Sequence, residues 1–235
     1  KQVGKLKNFS FFNQLGTFYD RTQRLKKLAS SVSDQLNLSK EKIEIASSIC
    51  KADLVSDLVR EYPELQGVMG RYFAIEQGFE ADVSLAISDH YLPTGVNSEV
   101  PKKPISVAVS LIDKIDILVG FFGINEKPTS SKDPFALRRT AIGLLRTIIE
   151  NKLNLQLKDL INYSVVTYKE QNIKFIKKFI ISSNWYYIVG FITGILNILV
   201  GVIAPLLAVI VKQSINYKKS IVGTLGYFGL VGNFT

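Results

Sequence analysis

Apolar residues recur at helical spacing through most of the first 170 positions of this chain. Between Thr17 and Leu36, Leu25, Leu28, Ala29 and Val32 fall on one face of a 3.6-residue period, so an amphipathic helix is predicted there. Ser39 offers the side-chain oxygen that an N-cap needs. Ile43, Ala46, Ser47, Cys50, Leu54 and Leu58 follow it at i, i+3, i+4 and i+7 spacing, which predicts one helix with one buried face. Pro63 breaks that helix and opens a segment with Leu65, Met69, Tyr72 and Phe73 facing inward. Asp82 caps a short helix ending near His90 and Tyr91. Residues 92–104 are rich in Pro, Gly and Asn and read as a loop, with Lys102 and Lys103 exposed between Pro101 and Pro104.

After Pro104, a stripe of Ala108, Leu111, Ile112, Ile115, Leu118 and Val119 predicts a core-facing helix. Its other face carries Asp113, Lys114 and Asp116, read as a solvated face. Residues 120–131 read as a loop. Asp133-Pro134 is a helix start: the carboxylate accepts from free backbone N–H groups, and proline at the first helical position loses nothing. The helix it opens buries Leu137, Ala141, Leu144, Leu145 and Ile148. Residues 155–168 form a further helix. No apolar–polar alternation exceeds four residues and no internal repeat is present. The predicted fold is all-α, an orthogonal helical bundle over residues 1–153 followed by a helical linker over 154–170.

The pattern changes in residues 171–235, a divergent apolar tail. No charged residue occurs from Phe179 to Val211, and the run from Tyr187 to Val211 is almost wholly apolar. Such a run reads as a membrane helix over about 185–211, with Trp185, Tyr186 and Tyr187 at the level of an aromatic belt. Lys177 and Lys178 precede it, and Lys212, Lys218 and Lys219 follow.

Charge sharpens this division. The formal net charge is +9, but the tail holds six Lys and no acid, leaving 23 basic and 20 acidic residues in 1–170. That mild balance permits contact with nucleic acid without demanding it. One Cys and one His exclude an internal disulfide and a Cys/His zinc cluster. Cys50 lies in an apolar pattern and reads as core. The N-terminus has neither an initiator Met nor a signal sequence, so the chain is expected to start inside a longer protein.

Catalytic motifs are not found. No phosphate loop and no dinucleotide glycine fingerprint occurs. A Ser–His–Asp triad would have to use His90, and no nucleophile-elbow motif accompanies it. Ser88-Asp89-His90-Tyr91 reads instead as a polar helix end, with His90 near the negative pole of the helix. The basic residues are more informative. Lys127, Lys132, Arg138, Arg139 and Arg146 surround the loop and helix opened by Asp133-Pro134. Arg139 and Arg146 are seven apart and share a side of that helix, and arginines can hold phosphates bidentately. A solvated face, or pairing with acids such as Glu126 and Asp116, accounts for the same residues.

Two blocks then resemble bacterial glycyl-tRNA synthetase β subunits. The first runs from Lys51-Ala52-Asp53-Leu54-Val55 to Glu61-Tyr62-Pro63-Glu64-Leu65-Gln66-Gly67-Val68-Met69-Gly70-Arg71-Tyr72. The second runs from Asp113-Lys114-Ile115-Asp116-Ile117-Leu118-Val119-Gly120, through Lys127-Pro128-Thr129, to Lys132-Asp133-Pro134-Phe135-Ala136-Leu137-Arg138-Arg139. Leu15-Gly16-Thr17 with Asp20-Arg21 is similar to the family's lead-in. The resemblance covers roughly residues 8–170.

It implies a degenerate HD-like helical domain in an α2β2 glycine–tRNA ligase of the cytoplasm. The family's α subunit binds ATP and activates glycine, and the β subunit binds and positions tRNA(Gly). By this resemblance the chain has no catalytic residue, cofactor or metal of its own. Lys51-Ala52-Asp53 takes the place of a metal-binding His-Asp pair, and Lys127, Lys132, Arg138, Arg139 and Arg146 become candidates for tRNA contact. After Glu170 the sequence departs from the family. A frameshifted or decaying gene and a fusion to a membrane anchor both account for such a tail; the second would make the chain a membrane-anchored helical interaction module.

Overall fold

The structure, a computed structural model, describes residues 2–95, 97–129 and 131–176. The expected membrane run of 179–211 lies outside the described residues. Among the described residues no helix is long and apolar enough to cross a membrane.

The fold is all-α. A short helix α1 (Gln2–Lys5) leads to a small antiparallel hairpin of β1 (Ser10–Phe12) and β2 (Gly16–Thr17), with Ser10 opposite Thr17. Then come α2 (Phe18–Leu36), α3 (Lys40–Ile49), α4 (Asp57–Glu61), α5 (Val68–Glu76), α6 (Ala81–Asp89), α7 (Pro104–Gly123), α8 (Leu137–Glu150) and α9 (Leu157–Glu170).

Helix starts follow local chemistry. Thr17 and Asp20 form a reciprocal capping box on α2, each side chain bonding the other residue's backbone N–H. Ser39 caps α3 through the Lys42 N–H. The hairpin escapes a search for alternation because its strands are only three and two residues long.

Helix α7 is the axis of the bundle, with α2, α3, α6, α8 and α9 packed around it. Every α7 residue except Pro104 and Ile117 is buried. Each large aliphatic side chain buried this way contributes about 1.5–3 kcal/mol. Residues 154–170, set apart above as a linker, contain α9, which packs on α2 and α7 through Leu160, Val165 and Tyr168.

Close approach of α7 and α9 requires Gly120. A Cβ there would meet the Tyr168 ring, whose Cζ lies 2.8 Å away, and the ring's hydroxyl. That hydroxyl donates to the Asp116 carbonyl at 2.9 Å. Gly120→Ala is therefore expected to destabilise the chain by about 1–3 kcal/mol through overpacking, despite alanine's better helix propensity. A urea midpoint equal to or above that of the parent chain would contradict this.

Several expectations are corrected. The apolar run from Ile43 to Leu58 is not one helix: α3 ends at Ile49, a 3-10 turn spans Ala52–Val55, and α4 follows. Leu58 is consequently exposed rather than core-facing. On α5, Gly70 and Ala74 face inward and Tyr72 is 59% exposed. The phase is set by Gly67, whose positive φ of 82° turns the chain and whose missing side chain makes room for Tyr91. Helix α7 runs four residues further than expected, to Gly123. Helix α8 begins at Leu137 rather than after Asp133-Pro134. Asp113, Lys114 and Asp116, read as a solvated face, are buried.

Candidate functional site

The buried α7 acids meet two arginines from α2. Arg21 and Arg24 are three residues apart, as are Asp113 and Asp116, so each pair shares a helix face. Arg21 Nη2 lies 2.8 Å from Asp113 Oδ1, and Arg21 Nε lies 3.3 Å from Asp116 Oδ2. Arg24 donates Nε to Asp116 Oδ1 at 2.8 Å and Nη2 to Asp116 Oδ2 at 3.3 Å. Its Nη1 reaches the Leu15 carbonyl and, at 2.7 Å, the Gln171 side chain, while its plane covers the Tyr168 ring. Burial opposes both arginine charges, and the facing aspartates outweigh it, so both guanidinium pKa values are raised.

A second layer lies beside this one. Lys51 Nζ is 3.0 Å from Asp113 Oδ1 and 2.7 Å from His90 Nε2, above the Tyr91 ring. His90 closes α6, and its Nδ1 lies 2.8 Å from the Ile87 carbonyl. A carbonyl only accepts, so Nδ1 carries the proton and Nε2 accepts from the Lys51 ammonium. Burial, reinforced by Lys51, holds the His90 pKa well below its ordinary value. Burial also lowers the Lys51 pKa against the attraction of Asp113. The Asp113 carboxyl is held far below the usual range: burial pushes it up, and Arg21 and Lys51 more than reverse that.

Lys114 sits next to this cluster, donating to the His90 and Leu92 carbonyls and to Ser110 Oγ. Burial brings its pKa down to about 8. Asp53 Oδ2 accepts from the Gly67 and Gly70 N–H groups at 2.6 and 3.2 Å, anchoring the start of α5. No group of three or more His, Cys, Asp or Glu positioned for a metal occurs among the described residues. The positive charge between the imidazole and the carboxylate is supplied by Lys51. Cys50 is core, with its thiol pushed up to about 12 by burial. The cluster is built to hold α2, α6 and α7 together.

The basic loop follows the C-terminal end of α7. Lys127 and Lys132 are exposed on it, and Arg139 is exposed on the first turn of α8. The loop is pinned from both sides. Asp133 accepts from the Leu137 and Arg138 N–H groups at 2.8 and 2.9 Å, so it caps α8 from four residues ahead. Phe135 stacks on Phe121 with centroids 4.4 Å apart and packs edge-on to Phe12 of the hairpin. Ala136 between them adopts a left-handed conformation.

Arg138 is half-buried and donates to the Thr129 carbonyl, closing the loop. Arg146 lies elsewhere: it pairs with Glu150 at 2.8 Å and donates to the Gly95 and Ser98 carbonyls, tying α8 to the loop before α7. Neither Glu126 nor Asp116 is the partner of these arginines. The structure thus gathers Lys127, Lys132, Arg138 and Arg139 into one segment and gives Arg146 a structural bond set.

A family model described as the glycyl-tRNA synthetase beta subunit matches residues 1–188. The chain belongs to this family. Among curated relatives, the glycine–tRNA ligase beta subunit of Rhodospirillum centenum is 47% identical over 164 residues, covering 68% of this chain and 23% of that protein. The Buchnera aphidicola beta subunit is 44% identical over 179 residues, covering 75% of this chain and 26% of that protein. The beta subunit from Janthinobacterium is 43% identical over 160 residues, covering 68% and 23%. The chain of this beta-subunit family member therefore spans about a quarter of the length of the curated relatives it matches.

Periodicity alone missed the Arg21–Arg24–Asp113–Asp116 network. A signal was nevertheless present: a 20-residue helix that is apolar around its whole circumference has no solvated face on which to put two acids.

Proposed function

We propose that this chain acts as a tRNA-holding part of a glycine–tRNA ligase β subunit. It positions tRNA(Gly) in the cytoplasm for ATP-dependent glycylation by the α subunit of an α2β2 complex. ATP binds at the α subunit, and this chain holds no cofactor of its own. The observation that carries the reading is the basic segment of Lys127, Lys132 and Arg139: three exposed cations, two on a loop fixed by the Asp133 cap and the Phe135 stack and one on the first turn of α8. Charges presented on a fixed loop contact phosphates at little ordering cost. Such contacts set the position of an RNA rather than reading its bases. Arg138 shapes the loop from within. Arg146 contributes through the fold, by way of its carbonyl bonds.

The test is binding of tRNA(Gly) and of an unrelated tRNA by the whole chain across a salt series. Wild type is expected to bind with a steep salt dependence and to prefer tRNA(Gly). Replacing Lys127, Lys132 and Arg139 together by Gln is expected to weaken binding at least tenfold in low salt. The slope of log K against log salt should fall by about 2, since each lost phosphate contact removes roughly 0.7–0.9. Unchanged affinity in the triple variant would rule the loop out. Arg146→Gln is expected to lower stability as well as any binding, because it removes the guanidinium that donates to the Gly95 and Ser98 carbonyls.

A further inference from the structure

Cations hold phosphates, which every RNA carries, so the basic loop supplies affinity and no preference among tRNAs. A preference needs uncharged donors and acceptors that reach base edges. The hairpin beside the loop carries two. In the turn between β1 and β2, Asn13 and Gln14 are both exposed, and neither side-chain amide has a hydrogen-bond partner among the described residues.

The residues around these two amides are held firmly. The Phe12 ring packs on Phe121 with centroids 5.2 Å apart and edge-on to Phe135 at 5.3 Å. Phe11 packs edge-on against Phe18 and Phe121. Leu15 is fully buried; its N–H donates to the Phe12 carbonyl at 2.9 Å, and its own carbonyl accepts from Arg24. A tip fixed on both sides loses little freedom on binding. Asn13 adjoins Phe12 in the chain, and Phe12 touches Phe135, so the tip stands next to the basic loop. Charge at this end of the bundle favours RNA. Residues 7–20 and 126–139 carry three acids, Asp20, Glu126 and Asp133. Asp20 is committed to the Thr17 N–H and hydroxyl, and Asp133 to the Leu137 and Arg138 N–H groups. Glu126 is half-buried, whereas Lys7, Lys127, Lys132 and Arg139 are exposed.

We propose that Asn13 and Gln14 are specificity-determining residues, which hydrogen-bond the edges of unpaired bases in the RNA whose phosphates the loop holds. The proposal rests on the loop being a phosphate contact. An amide both donates and accepts, so it distinguishes one base edge from another. Unpaired bases are the targets because the deep, narrow major groove of an RNA helix keeps side chains from paired ones.

The experiment measures binding of tRNA(Gly) and of an unrelated tRNA by the whole chain across a salt series. It compares wild type, Asn13→Ala with Gln14→Ala, and the triple Gln variant of Lys127, Lys132 and Arg139. Both turn residues are exposed and neither has a positive φ, so alanine is expected to leave the urea midpoint unchanged. The double alanine variant is expected to lose about tenfold in affinity for tRNA(Gly), as loss of one or two hydrogen bonds implies, and little for the unrelated tRNA. Its salt slope should match wild type, because no phosphate contact is lost. The triple variant should instead weaken both RNAs alike and lower the slope. Equal binding of the two RNAs by wild type, an unchanged preference in the double variant, or an equal loss on both RNAs would overturn the proposal alone, provided that the triple variant is weakened. Unchanged affinity in the triple variant would overturn the phosphate reading of the loop, and this proposal with it.

Discussion

Asp116→Ala is expected to lower the stability of the chain by about 3–5 kcal/mol, as removal of one partner from a buried ion pair does. Asp116 is fully buried and faces two arginines that are 4% and 0% exposed. Without its carboxylate, Arg21 keeps Asp113, but Arg24 keeps only neutral partners: the Leu15 carbonyl, the Gln171 side chain and the Tyr168 ring. An uncompensated guanidinium then remains in an apolar interior between α2, α7 and α9. Small domains have total stabilities of about 5–15 kcal/mol, so this change consumes a large share. With a urea slope of roughly 2 kcal/mol per molar, the midpoint should drop by about 2 M. A control lies on the surface: the Lys27–Glu170 pair is half-exposed, and Lys27→Ala should cost less than about 1 kcal/mol. If Asp116→Ala cost no more than Lys27→Ala, the network would be decorative rather than structural.

The sequence announced the frame of this fold more clearly than its interior. Helix α2 was legible because its apolar stripe marks its length: the helix expected between Thr17 and Leu36 spans Phe18–Leu36. Helix α7 was legible as a helix, and its burial was not. A period-3.6 stripe says which face is inside; it does not say that five neighbouring helices cover the other faces too. Tertiary enclosure turned Asp113, Lys114 and Asp116 from surface residues into core residues. The break after Ile49 was hidden for a related reason. Cys50 and Leu54 continue the apolar spacing, but the Asp53 carboxylate recruits the distant Gly67 and Gly70 N–H groups, and a 3-10 turn replaces the helix.

The basic loop was legible as a cluster because loop cations are adjacent in sequence. The bonds of Arg146 were not legible because Gly95 and Ser98 lie some fifty residues away in a loop whose course no pattern announces. The α4–α5 face was hidden by the same kind of local substitution: Gly67 shifts the helical phase, so Tyr72 points out where spacing from Leu65 puts it inside.

Lys51 and His90 carry the second large effect, and it depends on pH. The Lys51 ammonium donates to a neutral imidazole whose other nitrogen is already committed to the Ile87 carbonyl. Protonating His90 would set a cation 2.7 Å from another, with Arg21 and Lys114 nearby and Asp113 as the compensating acid. The His90 pKa in the fold therefore lies well below the 6.5 of the unfolded chain. As pH falls below about 6.5 the unfolded chain takes the proton first, so the His90 contribution to stability is full above that pH and declines beneath it. The decline is up to about 1.4 kcal/mol per pH unit until the folded pKa is reached. Asp113, whose folded pKa is also depressed, adds its own loss only below about pH 4.

Lys51→Met keeps the volume and removes the charge. It is expected to cost about 1–2 kcal/mol at pH 8, since Asp113 retains Arg21 while the His90 nitrogen loses its donor. It should also flatten the decline between pH 6.5 and 4.5, because one of the two main causes of the lowered His90 pKa is gone. Lys51→Ala removes the same charge and opens a cavity, so it should cost about 2 kcal/mol more than the methionine variant at every pH. Urea midpoints for the three chains from pH 8 to 4.5 separate the terms. Parallel pH profiles for wild type and Lys51→Met would show that burial alone, without the ammonium, sets the protonation of His90.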